Sequence, residues 1–287
     1  MSGGGPGRTA FVLGGGGSLG AAQVGMLRAL LEHGIVPDLV VGCSVGALNG
    51  GALAVDPSLA MVDRLQEIWL SLDERDLLPG GLLPTVVQMT RRGEAVHGNE
   101  GLRTVVEEVL PPGAHFEDLA VPFQCVATAM ADAREVWFSS GSPVEPILAS
   151  AAIPAVLPPV EVDGVPCIDG AVANAVPVTR AAELGATTIY VLHVGSTDGP
   201  RPAPRRPLDA ALRAYSLARR ARLARDLATL DPATEVVLLP PGDAARGRFN
   251  DFSHSAALIS SALQASRAVL GARGVAGAGP GPERDGA

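Results

Sequence analysis

The chain has 287 residues, 47% of them hydrophobic, and a formal net charge of −8 at neutral pH. That length is ample for a sizeable core, and the acidic balance argues against nucleic acid as a general partner. All 22 basic residues are arginine and only 3% are aromatic, so Ala, Val, Leu and Gly must fill the interior.

Residues 1–8 are glycine-rich and are expected to be flexible. The stretch TAFVLGGGG then reads as a short buried strand running into a glycine turn. SLGAAQVGMLRALLEHG follows as a helix that ends at Gly34. DLVVGCS is a second strand and VGALNGGALAV a second helix. Strand–helix–strand–helix in so few residues implies a parallel sheet. Helices are expected at 58–71 and 100–110, with the Gly/Pro-broken apolar stretch LLPGGLLPTVVQM between them as a lid, a pocket wall or a buried loop. Strands return at FQCVATAM and REVWFSS. The segment VEPILASAAIPAVLPPV is a helix stopped by Pro154, followed by a Pro-rich loop. A short strand then enters a turn at CIDGAVAN. A helix at 178–184 and the strands TTIYVLHV and TEVVLLP come next, with the Arg-rich helix near 208–230 between the two strands. That helix is expected to dock by its leucines and leave a solvated basic face, with contact to anionic lipid as the alternative. A last helix spans about 253–270, and residues 271–287 read as a disordered tail. No repeat or linker divides residues 9–270, which are read as a single domain.

Cys43, Cys125 and Cys167 are scattered and odd in number, so neither a disulfide framework nor a zinc site is expected, and no cofactor is called for. There is no signal-peptide pattern and no run long enough to span a bilayer. A cytoplasmic protein is expected, touching a membrane from outside if at all.

Two stretches match Gly-x-Ser-x-Gly, a weak pattern by itself in a chain with 35 glycines. Ser44 directly follows the strand end Val40-Val41-Gly42-Cys43, with Gly46 beyond it, which is where a nucleophile elbow places its serine. Ser18 sits behind four glycines and is read as a helix N-cap. Gly15, Gly17 and Gly20 also match a dinucleotide fingerprint, but the acid expected about 20 residues on is missing. The glycine loop is better read as backbone N–H groups aimed at developing negative charge. For a base, none of His33, His97, His115, His193 and His254 stands in a motif-like turn, whereas Asp169 does, followed by Gly170. A buried carboxylate beside a hydroxyl is a workable base, although a turn-forming aspartate is the more ordinary reading of these residues.

In this order and spacing, LGGGGSLGAAQVG, GCSVG, ASAAIPAVLPPV and DGAVANAVPV resemble the patatin-like phospholipases over about residues 9–184, and plausibly to 270. The resemblance implies a three-layer α/β/α fold with a mainly parallel central sheet, and a serine acyl hydrolase acting on phospholipids or related lipid esters. It implies Ser44 as nucleophile, Asp169 as base and an oxyanion hole in the Gly15, Gly16 and Gly17 loop. Gly20, Gly42, Gly46 and Gly170 support these motifs. Family members commonly carry Arg or Lys in the glycine loop where this chain has Leu19, which leaves the preference for phospholipid open. The rivals are an α/β-hydrolase esterase with a Ser–His–Asp triad and a non-catalytic nucleotide- or lipid-binding protein.

Overall fold

The computed structural model describes residues 7–72, 98–154, 156–195, 207–242 and 251–274. The expected lid or pocket stretch at 77–89, His97 and most of the expected tail lie outside the described residues.

Strand β1 (Thr9–Leu13) leads through the glycine loop and a 3-10 turn (Gly17–Gly20) into α1 (Ala21–Glu32). Gly34, at φ 71°, ends that helix: its N–H returns to Leu31 and that of Ile35 to Leu30, satisfying the last carbonyls. Strand β2 (Leu39–Cys43) runs directly into α2 (Val45–Val55). Helix α3 (Leu59–Ser71) follows, its first turn capped by the Ser58 hydroxyl, which accepts from Met61 N–H. Next come α4 (Glu100–Val109), β3 (Phe123–Ala129), β4 (Glu135–Phe138) and α5 (Val144–Ser150). The remainder is β5 (Val160–Val162), β6 (Val165–Asp169), α6 (Val178–Glu183), β7 (Thr188–Leu192), α7 (Pro207–Thr229), β8 (Glu235–Leu239) and α8 (Ser255–Ala272).

The sheet runs β5-β6-β3-β2-β1-β7-β8, with β4 also paired to β3. The five strands from β3 to β8 are mutually parallel, whereas β4, β5 and β6 join antiparallel. The chain steps outward from β1 to β2 to β3, then returns to the other side of β1 as β7. The switch point therefore lies beside the end of β1, between β1 and β7, and in open α/β sheets ligands bind at such a point.

Alternate residues of each strand face opposite layers. Phe11, Leu13, Val40 and Leu192 pack with α1 to α5 and α8. Ala10, Val12, Val41 and Val191 pack with α6 and, through Leu223 and Leu227, with α7. This is the expected three-layer α/β/α arrangement with a mainly parallel sheet.

Three local expectations are corrected. Helix α5 stops at Ser150, before Pro154, because the chain turns there to bring Ala152 C=O onto Asp169 N–H (2.9 Å). The Pro-rich loop contains a strand, β5, joined to β6 through Asp163 and Gly164, both at positive φ, as a tight hairpin turn requires. Arg8, expected in a loose terminus, is tied down, its carbonyl accepting from Thr187 and Thr188 N–H.

Helix α8 packs directly against Gly25 of α1, where a Cβ would lie 2.1 Å from the Ile259 carbonyl oxygen. Gly25→Ala is therefore expected to lower stability by about 1–3 kcal/mol through overpacking. A urea midpoint equal to that of the unchanged chain would show that α8 is not seated on α1 in this way.

Candidate active site

Ser44 occupies the single residue between β2 and α2. Its backbone has φ 56° and ψ −127°, a conformation that costs an L-residue about 1–3 kcal/mol. The turn can be this tight because its neighbours lack side chains. A Cβ on Gly46 would meet the Leu13 carbonyl oxygen at 2.1 Å, and one on Gly42 would meet that of Gly46 at 2.5 Å. The Ser44 N–H donates to Ser150 Oγ (2.8 Å), and that hydroxyl donates to the Val126 carbonyl (2.6 Å). Helix α5 thus supplies the acceptor that the elbow's amide needs.

Asp169 ends β6, and its carboxylate meets Ser44 directly: Ser44 Oγ donates to Oδ2 at 2.7 Å. The other oxygen, Oδ1, accepts from Ala171 N–H at 2.7 Å. Thr128 Oγ1 donates to the Asp169 carbonyl (2.9 Å) and accepts from Ala173 N–H (3.2 Å), fixing the turn on both sides. Gly170 is pressed against β3, where a Cβ would meet Val126 O at 2.1 Å. Ser44 and Asp169 are each only 4% exposed. Burial pushes the Asp169 pKa above its ordinary value of 3.8, against the pull of the Ser44 and Ala171 hydrogen bonds and of the Arg219 cation.

The glycine loop lies beside this pair. Gly15 N–H is already committed to Ala175 O (2.9 Å), so it is not a free donor, unlike the expectation for the loop as a whole. The amides of Gly16 and Gly17 have no hydrogen-bond acceptor among the described residues. Ser18 is not the N-cap of α1: the 3-10 turn moves the helix start to Ala21, Gly20 takes the cap position, and Ser18 is buried within the turn. From below, a buried polar network holds both ends of the loop. Gln23 Nε2 donates to Gly14 O (2.7 Å) and Leu192 O (3.1 Å). Asn49 Nδ2 donates to Gly20 O (3.1 Å) and Gln23 Oε1 (2.8 Å), and Trp69 Nε1 donates to Asn49 Oδ1 (3.0 Å).

Of the described histidines, none hydrogen-bonds to Ser44 or Asp169. His33 meets the Ala29 carbonyl, and His115 and His254 face Asp118 and Asp251. His254 takes the cap position of α8 without a side-chain cap bond. His193 is partly buried, its Nδ1 shielded and without a partner among the described residues, and desolvation with the nearby Arg219 and Arg220 lowers its pKa to about 4. Among the described residues no three His, Cys, Asp or Glu side chains converge as metal ligands.

A narrow, almost wholly apolar cleft opens at Ser44 and Gly17, walled by Leu48, Trp69, Leu102, Val105 and Leu157. Ser150, Thr128, Gln23, Asn49 and Trp69 were not singled out by the sequence reading. The signal for Gln23 and Asn49 was present: each is the lone polar side chain in an otherwise apolar helical stretch, which calls for a buried partner.

The family model described as patatin-like phospholipase matches residues 11–182, more than half of the chain. The chain is 31% identical over 200 residues to lysophospholipase NTE1 of Mycosarcoma maydis, an alignment covering 67% of this chain and 10% of that protein. It is 32% identical over 194 residues to an uncharacterized NTE family protein of Mycobacterium bovis, covering 67% and 51% respectively. It thus spans about half or much less of the length of these relatives. Among solved structures, VipD of Legionella pneumophila superposes with a TM-score of 0.50 at 14% identity, over 93% of this chain and 67% of that one, a likeness of fold. The matched span runs from β1 into α6 and takes in every strand and turn that builds the Ser44–Asp169 contact; the chain belongs to the patatin-like phospholipase family.

Proposed function

We propose that the chain is a lipid acyl hydrolase that cleaves fatty-acyl ester bonds of phospholipids or related lipids with a Ser44–Asp169 dyad. The observation that carries this reading is the 2.7 Å hydrogen bond from Ser44 Oγ to Asp169 Oδ2 at the mouth of an apolar cleft.

With the acyl chain in the cleft, Ser44 Oγ attacks the ester carbonyl carbon while its proton passes to Asp169 Oδ2. The carbonyl oxygen takes the charge and is met by Gly16 and Gly17 N–H, donors fixed before the reaction begins. Collapse breaks the carbon–oxygen bond, and Asp169 returns its proton to the departing alcohol. Water then attacks the acyl-serine, giving its proton to the same carboxylate. Collapse returns that proton to Ser44 and releases the fatty acid. Relatives named as lysophospholipases make a single-chain phospholipid the first natural substrate to try. Among the described residues no helix is long and apolar enough to cross a membrane. The proposed reaction has the protein act at a lipid surface from outside, from the cytoplasm.

Ser44→Ala is expected to abolish both ester turnover and labelling by a fluorophosphonate probe. Asp169→Asn keeps the volume and an acceptor for Ala171 but cannot take the proton. Its turnover is expected to fall by about 10²–10⁴-fold with the fold intact by circular dichroism. A near-normal rate in that variant removes Asp169 from the chemistry. His193→Asn and His254→Gln are each expected to keep turnover within about tenfold, where loss of a triad histidine costs on the order of 10⁶-fold.

The base works only when ionised, so activity is lost as pH falls through its pKa. Burial raises that value, which puts the acidic limb of kcat/KM above 3.8. A pH–rate profile flat from pH 7 down to that ordinary carboxylate value would contradict it.

A further inference from the structure

Helix α7 docks by Leu223 and Leu227, with Leu230 just past its end, as expected of it, yet two of its arginines do not simply face solvent. Arg219 Nη2 donates to the Gly15 carbonyl at 2.6 Å while its guanidinium covers the Tyr215 ring at 5.4 Å. Three residues on, Arg222 Nη1 donates to the Ala173 carbonyl at 2.9 Å. Its remaining nitrogens are held by Glu135 (2.7 Å) and Asp226 (3.0 Å). Positions three apart share one helix face. From that face the two side chains reach the glycine loop and the turn after Asp169.

The carbonyls they hold matter because a peptide unit is rigid and planar. The Gly15 carbonyl and the Gly16 N–H belong to one such unit, so fixing the oxygen fixes the direction of the amide. A cation on that oxygen also polarises the unit and strengthens its N–H as a donor. The Ala173 carbonyl likewise shares its unit with Asn174 N–H, which donates to Gly170 O at 2.7 Å and closes the turn that carries Asp169.

We propose that α7 is a clasp on the active face: Arg219 aims the Gly16 amide through the Gly15 carbonyl, and Arg222 holds the Asp169 turn through the Ala173 carbonyl. Both are positioning residues, and their effect on turnover rests on the Ser44–Asp169 reading. Arg219 has a second effect. Among the described residues, the charged or titratable groups whose fields act with Asp169 are Arg219 and Tyr215 from α7 and Cys43 from β2. Of these, Arg219 is the cation that favours the ionised carboxylate.

The test uses the full chain and a short p-nitrophenyl ester. Arg219→Ala is expected to lower kcat by about 10- to 100-fold with KM little changed. It also moves the acidic limb to higher pH, and Arg219→Lys restores the limb while recovering kcat only in part. Arg222→Ala lowers kcat without moving the limb. Independently of turnover, hydrogen exchange measured by mass spectrometry speeds up at the Gly14–Gly20 amides in Arg219→Ala and at the Gly170–Asn174 amides in Arg222→Ala. Unchanged kcat and limb in Arg219→Ala, in a chain whose turnover is abolished by Ser44→Ala, overturn the clasp and leave the dyad standing. Turnover that survives Ser44→Ala overturns the dyad instead, and the exchange data then decide the clasp alone. If Arg219→Ala does not fold, Arg219→Lys with undiminished kcat and wild-type exchange overturns the proposal.

Discussion

The structure turns on one strained residue. Ser44 is held at φ 56°, and an unsupported chain would relax it. It stays because its neighbours leave no alternative. Residues Val40 to Cys43 are paired in the sheet with β3, and Gly42 also with Leu13 of β1. On the other side α2 begins at once, its Ala47 amide bonding back to Ser44 O at 2.8 Å. Gly46 sits so close to Leu13 that the elbow and the end of β1 are in backbone contact. The close approach that strains the serine is therefore the same one that brings the glycine loop beside its hydroxyl. Loop and elbow are two ends of a single packing arrangement at the centre of the sheet.

The acid side of the pair is governed by charge. An ionised carboxylate that is 4% exposed loses most of its hydration, and burial works against the charged form that must accept the proton. Opposing this, Oδ2 receives the Ser44 hydroxyl, Oδ1 receives the Ala171 amide, and the Arg219 cation adds a favourable field. In the proposed reaction this balance takes over the task of an imidazole. The carboxylate is made more basic than a solvated one yet remains able to ionise. Cys43 and Tyr215, within the same field, are both pushed up and stay neutral, so they add no competing charge near neutral pH.

How much of this the sequence displayed follows from how local each feature is. The elbow and the Asp169 turn are encoded within a few residues, because glycines are needed beside each and their spacing is fixed by backbone geometry. The β5–β6 hairpin was equally local: Asp163-Gly164 between valines is a strong hairpin signal, missed because the preceding prolines suggested irregular loop. Helix α2 was legible as a helix despite three glycines, each costing about 1 kcal/mol against alanine. The structure shows that burial on all sides outweighs that cost, with Gly50 and Gly51 letting the helix settle onto Phe123. Other features have no local trace. Ser150 reaches an amide 106 residues away, and Arg219 reaches a carbonyl 204 residues away. No periodicity distinguishes those side chains from other serines in a turn or other arginines on a helix.

The apolar cleft and the glycine loop share a wall. Trp69 lines the cleft, stacks on Phe252 with ring centroids 6.1 Å apart, and would be 3.1 Å from a Cβ on Gly20. Its indole N–H is also the last link of the network through Asn49 that fixes the Gly20 carbonyl. A hydrocarbon chain lying along that indole would gain about 0.8 kcal/mol for each methylene it buries. Because cores are close-packed and transmit strain, a chain filling the cleft would bear on the side chain that anchors the loop's far end, while Gln23 anchors the near end at Gly14. Binding energy gathered far from the ester bond is thereby connected, through one aromatic ring and two amides, to the donors that meet the oxyanion in the proposed reaction. An enzyme gains rate when remote contacts are spent on orientation at the reacting centre, and here the connection consists of buried groups whose hydrogen bonds are all made.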